Sequence, residues 1–167
     1  MGGKLIGYDI KNNSNVLIKN VESTSRTNVF LQRIKGFYAF FKENQSLPKF
    51  NFNEISIKYD VENQLTINMF DDIDCVYIPN SRVHIIAKFI KENGLKHIRI
   101  VGYELLKQNL EYLNDGTIDF LIHQNPEEQG YMGINHLYKK SVLKEPVESL
   151  HYMPLEIIVK ENQMFKK

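Results

Sequence analysis

Short apolar segments alternate along this chain with longer segments in which apolar residues recur at helical spacing. Residues 15–21 have the composition of a strand, and residues 27–44 follow with Phe30, Ile34 and Phe37 on one helical face. Strands and helices that alternate in this way form right-handed crossovers, which build a parallel sheet with helices on both faces. The sequence therefore predicts an α/β fold with a doubly wound, mostly parallel sheet of the flavodoxin-like or Rossmann-like kind.

The same alternation continues to the end of the chain. The other predicted strands are residues 54–59, 74–78, 98–102, 118–122 and 155–159. The other predicted helices are a short one at 62–70, one from Val83 that Gly94 ends, one at 106–113, and one from Pro126 with Asn125 as its capping residue. The last strand differs from the others because no predicted helix follows it.

Polar side chains stand where the predicted strands end. Glu104 follows the strand at 98–102, separated from it only by Tyr103. Asn80 and Gln124 follow neighbouring strands, and Arg33 lies in the first helix. The carboxyl ends of parallel strands form the edge at which open α/β sheets bind ligands. Amides, a carboxylate and a guanidinium together donate to and accept from vicinal hydroxyls, so this set predicts a site for a sugar.

Local structure offers a second interpretation of two of these residues. Asn80 and Gln124 each stand just before a predicted helix. Side-chain oxygens at such positions commonly accept hydrogen bonds from the first backbone N–H groups of the helix. Both residues could therefore be helix caps, and the sequence alone leaves the two interpretations open.

The composition of the 167 residues narrows the classes of function. A net charge of +1, with basic residues scattered, gives no broad attraction to nucleic acid or to an anionic membrane. An apolar fraction of 43% and a charged fraction of 25% are typical of a soluble globular domain. Cys75 stands alone, so no disulfide framework is expected, and the sequence shows neither a signal peptide nor an apolar run of membrane-spanning length.

The sequence lacks the usual signatures of catalysis. No glycine occurs in residues 21–25, so a phosphate-binding loop after the first strand is not predicted. The histidines show no metal-ligand spacing, no nucleophile elbow is present, and Cys75 lies in a strand predicted to be buried. We therefore expect no enzymatic activity, no cofactor and no metal site.

Four short motifs resemble those of one known family. Arg33 begins R-I-K-G-F, similar to R-x-x-G-F, and Asn80 stands in P-N-S where the family has N-D. Glu104 ends V-G-Y-E, similar to V-G-F-D, and Gln124 ends L-I-H-Q. In this order the motifs resemble the C-terminal lobe of the periplasmic-binding-protein-like sugar-binding domain, which LacI-family transcriptional regulators share with periplasmic sugar-binding proteins.

The resemblance implies that Arg33, Asn80, Glu104 and Gln124 occupy positions that hydrogen-bond a sugar. Two departures from the family bear on this expectation. Glu104 replaces the usual Asp and adds a methylene, and Ser81 replaces the acid that follows Asn80. The longer side chain at 104 is expected either to change the choice of ligand or to abolish binding.

The resemblance covers residues 14–160, and residues 116–131 are particularly similar to the regulators. It divides the chain into a flank at 1–13, a sugar-binding lobe at 14–148 and a crossover tail at 149–167. Proteins of this kind have two similar lobes, and the regulators also carry a helix-turn-helix region. This chain is expected to supply one lobe only.

We therefore expect the effector lobe of a LacI-type regulator, a cytoplasmic homodimer that binds a sugar and contacts DNA only through a helix-turn-helix region outside this chain. A lobe of a periplasmic sugar-binding protein is the alternative within the same fold. A flavodoxin-like or receiver-like protein is disfavoured because neither clustered acids nor a phosphate loop follow the first strand. A dimerisation module with a degenerate cleft is a further alternative, which Glu104 keeps open.

Overall fold

The strands of this chain form one sheet in the computed structural model, which describes residues 1–3, 14–22, 28–44, 50–58 and 64–165. The strands are β1 (Ser14–Glu22), β2 (Phe50–Lys58), β3 (Cys75–Tyr77), β4 (Arg99–Tyr103), β5 (Phe120–His123) and β6 (Glu156–Ile158). Their order across the sheet is β2-β1-β3-β4-β5-β6. All neighbours are parallel except β5 and β6, which are antiparallel. The predicted fold class is confirmed.

Helices follow four of the strands. They are α1 (Asn28–Glu43) after β1, α2 (Val83–Glu92) after β3, α3 (Lys107–Asn114) after β4 and α4 (Pro126–Tyr138) after β5. Gly94 and Gly116 follow α2 and α3 with backbone φ angles of +69° and +83°. Glycine adopts such angles without a steric penalty, which explains why these helices end where the sequence predicts. None of the described helices is long and apolar enough to cross a membrane.

The sheet is buried on both faces because alternate strand residues enter two different cores. On one face, Val76, Ile100 and Leu121 pack against α2 and α3. On the other face, Tyr77 stacks on Phe37 of α1, with ring centroids 4.4 Å apart. Strands buried on both faces read as continuous apolar runs, which is the pattern found in β3, β4 and β5.

Two sequence predictions differ, at least in part, from the structure. Of the helix predicted at 62–70, Gln64 is helical and Ile67–Phe70 form a short 3-10 turn, whereas residues 62–63 lie outside the description, as does most of the predicted flank at 1–13. Asn125 precedes α4 as predicted but makes no side-chain capping bond, because its backbone is left-handed with φ +51°. The strand predicted at 155–159 is β6, and it adds to this sheet next to β5.

Gly102 marks a close approach between β4 and the start of α2. A Cβ atom at this position would lie 2.6 Å from the Cβ of Val83, which is fully buried. Only hydrogen fits between the strand and the helix. The glycine therefore allows the short distance between β4 and the start of α2.

We predict that Gly102→Ala lowers the free energy of unfolding by about 1–3 kcal/mol, because the added methyl group displaces Val83 in a closely packed core. Chemical denaturation measures this change. Gly36→Ala is the matched control, because nothing lies within 4 Å of its Cβ position and it stands in the interior of α1. The control should be stabilised by about 0.5–1 kcal/mol. Equal effects at both positions would contradict the close approach.

Candidate functional site

The guanidinium of Arg33 connects the ends of three strands. Its Nη1 donates to the carbonyl oxygen of Pro79, just beyond β3, at 2.9 Å. Its Nη2 donates to Glu104 Oε1, beyond β4, at 3.3 Å and to the side-chain oxygen of Gln124, beyond β5. Three of the four predicted site residues are thus in direct contact at the carboxyl edge of the sheet.

The ring of Tyr103 packs against the guanidinium of Arg33. The Cζ of Arg33 lies 3.9 Å from the ring centroid of Tyr103, a distance that permits cation–π attraction. The Tyr103 hydroxyl lies 3.1 Å from that of Tyr77, and burial raises the pKa of both phenols. Both hydroxyls are therefore protonated at neutral pH, so one can donate to the other, and this pair holds the ring under Arg33 in place.

Glu104 has an unusual backbone conformation at the end of β4. Its φ angle is +69°, in the left-handed region that non-glycine residues rarely adopt. Its N–H donates to the carbonyl oxygen of Ile122 at 3.1 Å, and helix α3 begins only at Lys107. Glu104 is therefore not the first residue of a helix. The turn of the chain at this residue directs its carboxylate toward Arg33.

His123 is a site residue that the sequence did not single out. Its Nδ1 lies 3.8 Å from Glu104 Oε2, which is too far for a hydrogen bond, and this buried nitrogen has no hydrogen-bond partner among the described residues. The Nε of Arg33 is also buried without such a partner. Two buried nitrogens at the carboxyl edge of the sheet therefore lack a hydrogen-bond partner among the described residues. The sequence does place His123 directly before Gln124, at the same strand end, and this position could have identified it as a site residue.

A cavity of about 680 Å³ opens next to Glu104 and His123. Polar groups and apolar side chains both line it, which is common in sites for small hydroxylic molecules. Its walls include Ser81, Glu104, Leu105, Leu106, Leu110, His123, Asn125 and Glu127. Gln124 instead lines a neighbouring cavity.

The two amides that could be helix caps behave differently. The side-chain oxygen of Asn80 accepts a hydrogen bond from the backbone N–H of Arg82 at 3.0 Å, so Asn80 forms the turn that precedes α2. Gln124 uses its side-chain oxygen for Arg33, and α4 has no side-chain cap. Helix α2 begins at Val83 and also has no side-chain cap, so neither amide caps a helix: Asn80 stabilises the preceding turn, whereas Gln124 belongs to the Arg33 cluster.

Asn109 is a fully buried polar residue in α3 that sequence reasoning missed. Its Nδ2 donates to the backbone oxygens of Ser81, Tyr103 and Glu104 at 3.0, 3.1 and 2.9 Å. Its Oδ1 accepts from the backbone N–H of His84 at 3.1 Å. One amide thus holds together the two loops that carry Asn80 and Glu104.

The sequence also matches a model of a known family, the periplasmic binding protein domain, over residues 1–144. That match covers most of the chain and agrees with the sheet described above. The chain belongs to the periplasmic binding protein domain family. Among curated protein sequences there is no significant match.

Solved structures similar to this periplasmic binding protein domain include a candidate regulator and sugar-binding proteins. A candidate LacI transcriptional regulator from Bacteroides fragilis is 24% identical, with a TM-score of 0.87 over 99% of this chain and 59% of its own. GanP, a glucose-galactose binding protein from Geobacillus stearothermophilus, is 20% identical, with a TM-score of 0.76 over 96% and 58% of the two chains.

A periplasmic solute binding protein of an ABC transporter from Actinobacillus succinogenes, solved with bound D-allose, is also similar. It is 22% identical, with a TM-score of 0.75 over 92% of this chain and 54% of its own. At these identities the likeness shows a shared fold. The chain spans between one half and three fifths of the length of these three proteins.

We predict that Asn109→Leu lowers the free energy of unfolding by about 3 kcal/mol, because it leaves several buried backbone groups without a hydrogen-bond partner. Urea unfolding measures the loss. Asn93→Leu is the control, because Asn93 is exposed and its side chain makes one hydrogen bond, to the oxygen of Phe89 at 2.8 Å. The control should lose less than about 1 kcal/mol. Similar losses in the two variants would contradict the role given to Asn109.

Proposed function

We propose that this chain is the ligand-sensing lobe of a LacI-type transcriptional regulator and that the Arg33 cluster binds a sugar. The observation that carries the proposal is the joining of Arg33, Glu104 and Gln124 at the carboxyl edge of the sheet. Groups that already hold one another in place lose little entropy when a ligand binds. The similar glucose-galactose binding protein and the solute binding protein with bound D-allose support a ligand of this class.

Each polar group has a role in this proposal. Glu104 accepts hydrogen bonds from sugar hydroxyls through the oxygen that Arg33 does not contact, and His123 adds a ring nitrogen beside it. The amide nitrogen of Gln124 donates, because its oxygen is engaged by Arg33. Asn80 contributes less, because the turn before α2 already uses its side-chain oxygen.

The proposed site is half of a larger one. The chain spans 59% of the length of the similar regulator structure, so a second lobe would supply the remaining contacts and enclose the ligand. In the whole protein, sugar binding would favour the closed arrangement of the two lobes and change the affinity for DNA by linkage. The DNA contact itself would come from a helix-turn-helix region outside this chain, in a cytoplasmic protein.

The outer surface of α4 supports a homodimer. No residue of this helix is buried, and Tyr131, Ile134 and Leu137 are 65%, 73% and 65% exposed. Val142, in the π-helical turn Lys139–Leu143 that follows, is 61% exposed. Apolar surface concentrated on one element in this way is typical of a protein–protein contact, and a second copy of the chain can meet it symmetrically.

A lobe of a periplasmic sugar-binding protein is the second candidate function, favoured by the transport proteins among the similar structures. Its cleft would be the same, and its α4 surface would have no partner. Loss of ligand binding with retention of the dimer would instead identify a dimerisation module. In that case the pairing of Glu104 with Arg33 would be purely structural.

We predict that a cognate sugar raises the thermal unfolding temperature of the 167-residue chain by about 3 °C at ten times its dissociation constant. A panel of pentoses and hexoses at up to tens of millimolar suits the weak binding expected of a half-site. The shift should disappear in Arg33→Ala and Gln124→Ala. The shift should persist in Arg99→Ala, because Arg99 stands at the amino end of β4, away from the carboxyl ends of the strands. A shift that survives in the first two variants would place the ligand elsewhere.

We predict that the chain sediments as a dimer at micromolar concentration and that Ile134→Glu converts it to a monomer. A charge on this apolar surface opposes association but leaves the fold intact, because Ile134 is exposed. Ile67→Glu is the matched control, because Ile67 is also exposed but stands in the 3-10 turn before β3. A parent chain that is monomeric, or a control that dissociates equally, would contradict the α4 interface.

A further inference from the structure

Two histidines and two methionines meet in a cavity between α4 and the segment that leads into β6. Met132 and His136 are one helical turn apart, so they lie on the same face of α4. His151 and Met153 are two residues apart and reach the cavity from the other side. This cavity, of about 410 Å³, is also lined by Gln124, so it adjoins the Arg33 cluster.

The two imidazole rings are in edge contact, and their separation brings them within reach of a shared metal ion. Their centroids are 5.4 Å apart and the rings are perpendicular. A metal at about 2.0 Å from a ring nitrogen lies about 3.2 Å from the ring centroid, so two ligating rings at trigonal or tetrahedral angles are about 5.1–5.5 Å apart. The observed separation falls in this range, so a rotation of the rings, without movement of the backbone, would turn one nitrogen of each toward a shared ion.

The kinds of donor atom select the metal. In the part of the chain that the structure describes, no three His, Cys, Asp or Glu side chains come together in a way that could hold a metal ion, so a conventional zinc site is not formed there. The additional donors in this cavity are thioether sulfurs, which are soft ligands that favour Cu(I), an ion that imidazole also binds. We propose that Met132, His136, His151 and Met153 form a Cu(I) site.

This site escaped the sequence analysis because its ligands come from two separate segments. Folding brings together one pair from a helix and one pair from an irregular segment. In the proposed site, Cu(I) ties α4, which has no buried residue, to the tail of the chain.

Anaerobic titration of the whole chain with Cu(I), in competition with the chromophoric chelator bicinchoninate, tests the site. We expect one equivalent of Cu(I) to be withdrawn from the chelator complex and X-ray absorption to show both nitrogen and sulfur ligands. Saturation at a hundred times the dissociation constant should raise the unfolding temperature by about 5–10 °C.

Variants separate the metal site from a simple contact between two rings. His136→Ala and His151→Ala should each weaken Cu(I) binding at least a hundredfold, and Met132→Leu and Met153→Leu at least tenfold, since leucine retains the packing but removes the sulfur. His97→Ala is the control, because that exposed histidine stands between α2 and β4, and its binding should equal that of the parent.

Three results would overturn the proposal. One is failure of the parent chain to compete with the chelator, and another is Cu(I) binding that is unchanged in His136→Ala and His151→Ala. The third is an absorption spectrum of the parent chain without sulfur ligands, a measurement that does not depend on any variant. In each case the two rings would be in edge-to-face contact only.

Discussion

The buried amide of Asn109 is the interaction on which the two loops of the site depend. Its hydrogen bonds reach the backbone at Ser81 and Glu104, so α3 fixes the ends of β3 and β4 relative to each other. Without this amide, buried carbonyl groups would lose their partner and the loops would have to open to water. Arg33 in turn needs both loops, because its partners lie on them.

The fold could be predicted from the sequence because each central strand is buried on both faces and each helix has a single apolar face. These two patterns look different along a sequence, and their alternation defines the topology. The direction of β6 could not be predicted, because a strand of three residues carries no pattern that distinguishes parallel from antiparallel pairing. The capping role given to Asn125 was wrong because residue type alone does not reveal a left-handed backbone.

The candidate site was predictable only in part, and the reason is geometric. Arg33, Glu104 and Gln124 could be chosen from their positions at strand ends, since parallel strands bring those ends to one edge. His123 also stands at a strand end, but its nearness to Glu104 and the role of Asn109 could not be predicted, because they arise from contacts between segments that are separated in sequence. An asparagine within an amphipathic helix reads as a surface residue until the loops that it binds are placed around it.

Glu104 combines a strained backbone with a carboxylate that the site requires. A left-handed conformation costs a non-glycine residue about 1–2 kcal/mol, a cost that glycine would avoid. Glycine at this position would make the lobe more stable and would also remove the partner of Arg33. Selection for stability and selection for recognition therefore oppose each other at this single position. A more stable lobe with glycine here would lack the carboxylate that the cleft uses for recognition.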